Sequence, residues 1–297
     1  MEASAGAGEP RQAPRGVDAV ALARVRRRLM TAPEPPWLHA EAARRMAERL
    51  PVIRQRPDTV IDWWSAAGAS TSLLRRTYPQ ARLLRVEPEP MPASRRPWWQ
   101  RWRASTPAFT PDAVEPGQGG LLWASMMLHW VDDPVQEMRR WHAALAVDGF
   151  LMFSTFGPGT LASLRALYAD AGWPSPHAPF VDMHDLGDML VQAGFADPVM
   201  DQETLQLHWA DALALLGELR GLGANVDATR FGGLRTPRWR DHLAARLQAA
   251  SAGARPALDF EIVYGHAFKP VPRPQARAHT EVSLQDMRSI LGARRQR

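Results

Sequence analysis

Residues 59–70 read TVIDWWSAAGAS, and residues 71–78 continue as TSLLRRTY. The stretch begins as a short apolar run that ends in an acid, Asp62, and it passes through small residues into a segment with helical spacing. A strand, a tight turn and a helix in this order are how a nucleotide-binding βα unit begins. The turn of such a unit is usually rich in glycine, whereas Trp63 and Trp64 follow the acid here. The pattern therefore predicts a βα unit but does not show whether its turn binds a nucleotide.

Strand-like and helix-like segments alternate from residue 59 to about residue 200, which indicates an α/β fold with a mostly parallel sheet. The predicted strands of this region cover 59–64, 82–89, 121–128 and 147–157. The predicted helices cover 71–78, 132–145, 160–170 and 182–195, and two more precede them at 17–30 and 37–50. Two later strands, at 204–209 and 260–268, are separated by a helical insertion at about 211–250. They predict an antiparallel addition at one edge of the sheet.

Several predicted helices have recognisable ends. Asp133 is a predicted N-cap with Pro134 at the first helical position, and Gly194 is the predicted stop of the 182–195 helix. Asp182 and His184 belong to an acidic run, DMHDLGD, that opens the same helix. Acids are favoured at a helix start, so we interpret the run as a cap and predict no metal site.

Length and composition favour one domain with elaborations in a chain of 297 residues. We expect a disordered N-terminus at 1–16, a single domain at 17–270 and a basic, flexible tail at 271–297. The start lacks the apolar segment of a signal peptide, and no apolar run has the roughly 20 residues that span a bilayer. The sequence contains no Cys, which excludes disulfides and thiolate chemistry and fits a cytoplasmic protein.

The basic residues, mostly Arg, give a formal net charge of +5. This excess reflects either a genome that encodes Arg freely or a surface that attracts an acidic partner. No nucleic-acid-binding motif accompanies it, so we predict no nucleic-acid partner. The Trp/Arg cluster RPWWQRWR at 96–103 is open to two interpretations: a stacking surface, or tryptophans that cover a neighbouring helix. We favour the second.

Three polar side chains stand at predicted strand ends: Asp62, Glu87 and Ser125. In an open parallel sheet, ligands bind beyond the carboxyl ends of the strands. We therefore expect the three residues to surround one crevice.

Longer stretches carry a more specific pattern. They read LLWASMMLHWVDDP at 121–134, GFLMFSTFGPGTLASLR at 149–165, FVDMHDLGDMLVQAGFADPVMD at 180–201, LRGLGAN at 219–225 and FEIVYGHAFKP at 260–270. Together they resemble the malonyl-[acyl-carrier protein] O-methyltransferase family of biotin synthesis, within the class I S-adenosylmethionine-dependent methyltransferases. The resemblance covers roughly 20–270 and is strongest at 121–225.

The resemblance implies a Rossmann-like fold, S-adenosyl-L-methionine as cofactor, and methylation of the free carboxylate of a malonyl thioester on acyl-carrier protein. It implies cofactor binding by Asp62, Gly68, Glu87 and Ser125. The candidates for orienting the substrate are His129, Arg220 and Arg230.

The glycine loop departs from the general pattern of a strand-ending Asp followed by x-G-x-G-x-G. Trp64 and Ala66 stand at the first two glycine positions, and Gly68 at the third. A Cβ atom there meets the cofactor's methionine end, so we expect the Trp64 side chain to fill that space and to weaken binding. The alternative function is a non-catalytic binding or scaffold protein that keeps the fold without the cofactor.

Overall fold

The computed structural model describes residues 16–32, 34–89 and 108–272. The Trp/Arg cluster at 96–103, most of the N-terminal lead-in and most of the tail lie outside these ranges. The helices are α1 (Ala19–Thr31), α2 (Trp37–Ala47), α3 (Ser65–Gly68), α4 (Thr71–Thr77), α5 (Pro134–Ala144), α6 (Ala162–Asp170), α7 (Met183–Gln192), α8 (Ala212–Leu222) and α9 (Pro237–Ala250). The strands are β1 (Thr59–Trp63), β2 (Arg82–Val86), β3 (Ala108–Phe109), β4 (Gly119–Ser125), β5 (Leu145–Phe156), β6 (Ala196–His208) and β7 (Ala257–Phe268). Within the described ranges, no helix has the length and apolarity needed to cross a bilayer.

The strands form one seven-stranded sheet in the order β3-β2-β1-β4-β5-β7-β6. The pairs from β3 to β5 are parallel, and β7 runs antiparallel to both of its neighbours, β5 and β6. The predicted α/β class with an antiparallel addition at one edge is confirmed. The last strand of the described part of the chain, β7, lies inside the sheet rather than at its border.

Side chains alternate between two apolar cores, one on each face of the sheet. On β4, Leu121 and Trp123 point into one core and Leu122 and Ala124 into the other, and all four are fully buried. Helices α1, α5 and α7 pack on one face, and helices α2, α6, α8 and α9 pack on the other. This two-faced burial explains why β4 is a continuous apolar run rather than an alternating one.

The predicted helix ends are confirmed where the sequence carried a signal. The Asp133 side chain accepts a hydrogen bond from the Gln136 amide at 2.9 Å, and the Asp182 side chain accepts one from the His184 amide at 2.8 Å. Helix α7 stops at Gln192, just before Gly194, whose φ is +101°.

The sequence prediction missed one strand, β3, and the first half of another, β6. The two residues of β3 are too few to carry a periodic pattern. Strand β6 begins at Ala196, eight residues before the predicted start, because its first part reads as a polar turn. Pro198 and a register shift between Ala196 and Val199 interrupt the pairing there, and Asp197 has φ of +50°.

The N-terminal segment is fastened to the chain just after α8. The Asp18 amide donates to the Val226 carbonyl at 2.7 Å, and the Ala228 amide donates to the Gly16 carbonyl at 2.7 Å. The Asp18 side chain caps α1 and forms an ion pair with Arg230, with Oδ2 and Nη1 2.6 Å apart. Helix α1 is thereby held across the carboxyl edge of the sheet.

We predict that Gly265→Ala destabilises the protein by about 1–3 kcal/mol. Gly265 pairs with Phe153 across β5 and β7, and an added Cβ would lie 2.0 Å from the ring. The control is Gly217→Ala in α8, where nothing lies within 4 Å of the new Cβ. That change should leave stability unchanged or raise it by up to about 1 kcal/mol. Urea unfolding measures both, and equal midpoints would contradict the packing argument.

Candidate active site

The carboxyl ends of β1, β2 and β4 meet at one edge of the sheet, because these strands are parallel neighbours. Asp62 lies near the end of β1, Glu87 directly follows β2, and Ser125 ends β4. Their side chains are all buried, with at most 3% exposed. The three residues thus lie at the same edge of the sheet, and Glu87 lines a small cavity there. That they surround one crevice stays a prediction, as do their roles toward a cofactor.

Glu87 fastens the turn that follows β1. Its Oε1 atom accepts hydrogen bonds from the Ser65 hydroxyl and from the Ala66 amide, both at 2.7 Å. Burial raises the pKa of Glu87, and these two hydrogen bonds together with Arg85 oppose that effect. The acid predicted to bind ribose hydroxyls therefore also holds the loop in place.

Asp62 joins the end of β1 to helix α4. Its Oδ2 atom accepts a hydrogen bond from the Thr71 hydroxyl at 2.7 Å. Complete burial raises its pKa to about 7, against the opposing effects of Thr71 and Arg85. Near neutral pH this carboxyl group is therefore close to half protonated.

Trp64, at the first glycine position of the loop pattern, has a backbone conformation that favours glycine. Its φ is 55° and its ψ 47°, in the left-handed region that bulky residues rarely adopt. The indole is 7% exposed and lies below α1, with the guanidinium of Arg26 5.0 Å from the ring centroid. Its Nε1 atom is buried and has no hydrogen-bond partner in the described part of the chain. The turn is thus strained, with the side chain directed inward.

The loop after β1 borders two spaces of different size. A pocket of about 500 Å³ is lined by Ser65, Ala66 and Thr71, and the indole of Trp64 lines a much smaller one. Beside Glu87 and Trp130 a cavity of about 10 Å³ is left, too small for more than one water molecule. A buried acid after β2 is the group that binds the ribose of a nucleotide in such folds, so the residues fit S-adenosylmethionine in their chemistry. We predict that the space for its methionine end opens once the indole moves.

Gly68 serves the packing of α3 against β4. A Cβ on Gly68 would lie 2.9 Å from the Ser125 Cβ atom, closer than real contacts allow. The Gly68 carbonyl accepts a hydrogen bond from the Ser70 hydroxyl, which in turn accepts one from the Trp123 indole. In this conformation the missing side chain of Gly68 makes room for Ser125, and the predicted cofactor contact is untested.

A second, much larger cavity of about 840 Å³ adjoins the crevice. It lies between the carboxyl ends of β4 and β5 on one side and helices α6, α8 and α9 on the other. Most of its wall is apolar, with Leu216, Leu219 and Phe260 among the lining residues. Trp130 lines both the crevice and this cavity, so its indole divides the two spaces.

His129 belongs to an aromatic wall of the large cavity. Its ring centroid lies 4.6 Å from that of Trp130 and 4.7 Å from that of Phe156. His129 is 5% exposed and lines the cavity as well, so the packed and the acceptor-site interpretations both describe its position.

His39 of α2 lies next to this wall, and the sequence analysis missed it. Its ring centroid is 5.8 Å from that of Trp130, and its Nδ1 atom lies 2.7 Å from the Ala67 carbonyl, to which an Nδ1–H can donate. Complete burial lowers the pKa of His39 to about 4, so the ring is neutral. The available signal was a histidine on the apolar face of an amphipathic helix.

The structure separates the two arginine candidates. Arg220 lines the large cavity, whereas Arg230 does not and is engaged with Asp18 and with the Asp227 carbonyl. The N-terminal helix supplies Arg230 with an acid, Asp18, and the substrate-orienting role predicted for Arg230 stays a prediction. Arg28 of α1, which the sequence analysis did not single out, lines the cavity instead.

Comparisons with known proteins agree with this architecture. The model of a methyltransferase domain matches residues 37–197. A malonyl-[acyl-carrier protein] O-methyltransferase of Laribacter hongkongensis is 37% identical, with 86% of this chain and 88% of the relative covered. One of Gallionella capsiferriformans is 36% identical, with 80% and 85% covered. The chain belongs to the malonyl-[acyl-carrier protein] O-methyltransferase family.

Solved structures give the same fold at low sequence identity. The YcgJ protein of Bacillus subtilis aligns with a TM-score of 0.51 at 10% identity, covering 76% of this chain and 98% of that one. A putative methyltransferase of Bacillus halodurans aligns with a TM-score of 0.50 at 11% identity, covering 76% and 99%. The predicted class I methyltransferase fold is confirmed, and the relatives do not favour the alternative of a non-catalytic scaffold.

The raised pKa of Asp62 makes stability depend on pH. Folded Asp62 stays protonated up to about pH 7, whereas in the unfolded chain it ionises near its ordinary 3.8. Ionised Asp62 is less favourable in the folded protein than in the unfolded chain. The free energy of unfolding therefore falls as the pH rises from about 4 to above 7. Asn cannot ionise, so Asp62→Asn should gain stability over the wild type across this window, by an amount of the order of a few kcal/mol.

Chemical denaturation at pH 5 and pH 8 measures this gain. Asp188→Asn, on the exposed side of α7, is the control and should shift both curves equally. If Asp62→Asn also behaved the same at both pH values, the pKa of Asp62 would be near its ordinary value.

The position of Trp64 leads to a prediction about cofactor affinity. The paired change Trp64→Gly and Ala66→Gly removes the indole from the crevice and should strengthen binding of S-adenosylmethionine and S-adenosylhomocysteine. It should also lower the melting temperature, because apolar burial worth roughly a few kcal/mol is lost. Calorimetric titration and melting curves measure the two effects.

Trp64→Ala is the matched variant, since it empties the crevice and keeps a Cβ at positive φ. It should bind the cofactor better than the wild type, and its free energy of unfolding should be about 1 kcal/mol lower than that of Trp64→Gly alone. Equal cofactor affinity in wild type and both variants would show that the indole does not occupy the site.

Proposed function

We propose that this protein transfers a methyl group from S-adenosylmethionine to the free carboxylate of a malonyl thioester carried by acyl-carrier protein, a step in the synthesis of a biotin precursor. The observation that supports this most is the pairing of two spaces at one sheet edge. A crevice with a buried acid lies next to a large, mostly apolar cavity, and Trp130 lines both. The names of the relatives supply the substrate class.

The chemistry asks little of the protein beyond positioning. When bound, S-adenosylmethionine supplies an electrophilic methyl group. The attacking oxygen belongs to a carboxylate, which is already anionic, so no general base is needed. Glu87 would hold the ribose hydroxyls. The wall of His129, Trp130 and Phe156 would keep water away from the carboxylate, which raises its reactivity when it is aligned with the methyl carbon.

The charge of the protein fits an acidic carrier. Arg28, Arg220, Arg235 and Arg240 all line the large cavity, and the chain carries a formal net charge of +5. Complementary charges accelerate encounter in a salt-dependent way. We propose docking of acyl-carrier protein on this side, in the cytoplasm where the predicted pathway operates.

The test is methyl transfer from labelled S-adenosylmethionine to malonyl-acyl-carrier protein. We expect label in the carrier fraction, with the product identified as a methyl ester by mass spectrometry and a rate that falls markedly with added salt. Acetyl-acyl-carrier protein, which has no free carboxylate, is the control and should remain unlabelled. Absence of transfer to the malonyl carrier by protein that binds S-adenosylhomocysteine would refute the function.

A further inference from the structure

Arg28 reaches the large cavity from the N-terminal helix. Its guanidinium donates a hydrogen bond to the carbonyl of Gly223, the residue that follows α8. A Cβ on Gly223 would lie 3.5 Å from the indole of Trp130. The guanidinium of Arg28 is therefore anchored at the part of the cavity next to the indole that divides it from the crevice.

Arg220 stands in the last turn of α8 and lines the same cavity. Burial and the positive charge of Arg220 both lower the pKa of Arg28, so the two guanidinium groups interact electrostatically. In the described part of the chain neither takes part in an ion pair, whereas Arg230 pairs with Asp18 and Arg240 with Asp241.

The hydrogen bond from Arg28 to Gly223 has a local structural role. By donating to Gly223, Arg28 satisfies a carbonyl at the end of α8, where cations are favoured. A guanidinium has five N–H donors, and this use leaves most of those of Arg28 and Arg220 available. Two cations next to each other repel, and an anion that lies between them offsets this repulsion.

We propose that Arg28 and Arg220 form one binding subsite for the free carboxylate of the thioester substrate. The choice of ligand rests on the proposed function. A carboxylate matches the fork of a guanidinium, and two such groups from different helices fix its orientation. The subsite lies on the cavity side of Trp130, where the carboxylate faces the crevice. A malonyl group is then distinguished from an acetyl group by its charge.

The test measures binding, so that it does not depend on turnover. Malonyl-pantetheine and acetyl-pantetheine, which both lack phosphate, are titrated against the full chain. We expect the wild type to prefer the malonyl thioester. Arg220→Gln and Arg28→Gln should each weaken malonyl binding by roughly ten- to hundredfold and leave acetyl binding unchanged. Arg27→Gln on the exposed side of α1 is the control and should match the wild type.

Three outcomes overturn the subsite. The first is a wild type that binds the two thioesters equally. The second is an equal loss of malonyl and acetyl binding in the variants. The third is a loss of affinity only for phosphate-bearing malonyl-acyl-carrier protein, which would show that the arginines bind the phosphate. Arg220, exposed on α8, can be replaced without disturbing the fold, and melting curves confirm that the variants are folded. Methyl transfer by the wild type in the same preparation reports separately on the proposed function.

Discussion

One buried carboxylate, that of Glu87, fixes the shape of the candidate active site. Because its Oε1 atom binds both the Ser65 hydroxyl and the Ala66 amide, the end of β2 is tied to the turn after β1. The turn then follows one path, in which Trp64 takes positive φ and α3 lies against β4 at Gly68. The crevice and the position of α1 above it depend on this path.

Trp64 shows how the turn after β1 can accommodate a bulky residue at positive φ. Positive φ costs a bulky residue roughly 1–2 kcal/mol, whereas burial of an indole contributes roughly a few kcal/mol in the other direction. The closed crevice is therefore stable without a ligand. We predict that cofactor binding displaces the indole and that the affinity is reduced by the free energy of that displacement.

The sequence predicted those parts of the fold that rest on local chemistry. The apolar run of β4, the cap at Asp133 and the stop at Gly194 each depend on neighbouring residues, and each is confirmed. Strand β3 and the early start of β6 depend on pairing with distant strands, which no local pattern records. The crevice followed from strand order, since parallel neighbours end at one edge.

The large cavity was less predictable, because distant segments build it. Arg220 and Arg230 look alike in sequence, yet Asp18, more than two hundred residues away along the chain, engages one and leaves the other at the cavity. Arg28 carried no signal beyond a basic amphipathic helix. The charge pattern alone could not assign these roles.

The attachment of α1 to the segment after α8 has an evolutionary consequence. The N-terminus and residues 223–230 are joined by backbone hydrogen bonds, by the pair of Asp18 and Arg230, and by Arg28 on Gly223. Two segments about two hundred residues apart in the chain therefore form one structural unit. Exchanging the insertion between β6 and β7 alone, in a chimera or through recombination, would separate α1 from its anchor, so new substrate preferences must arise by matched changes in both segments.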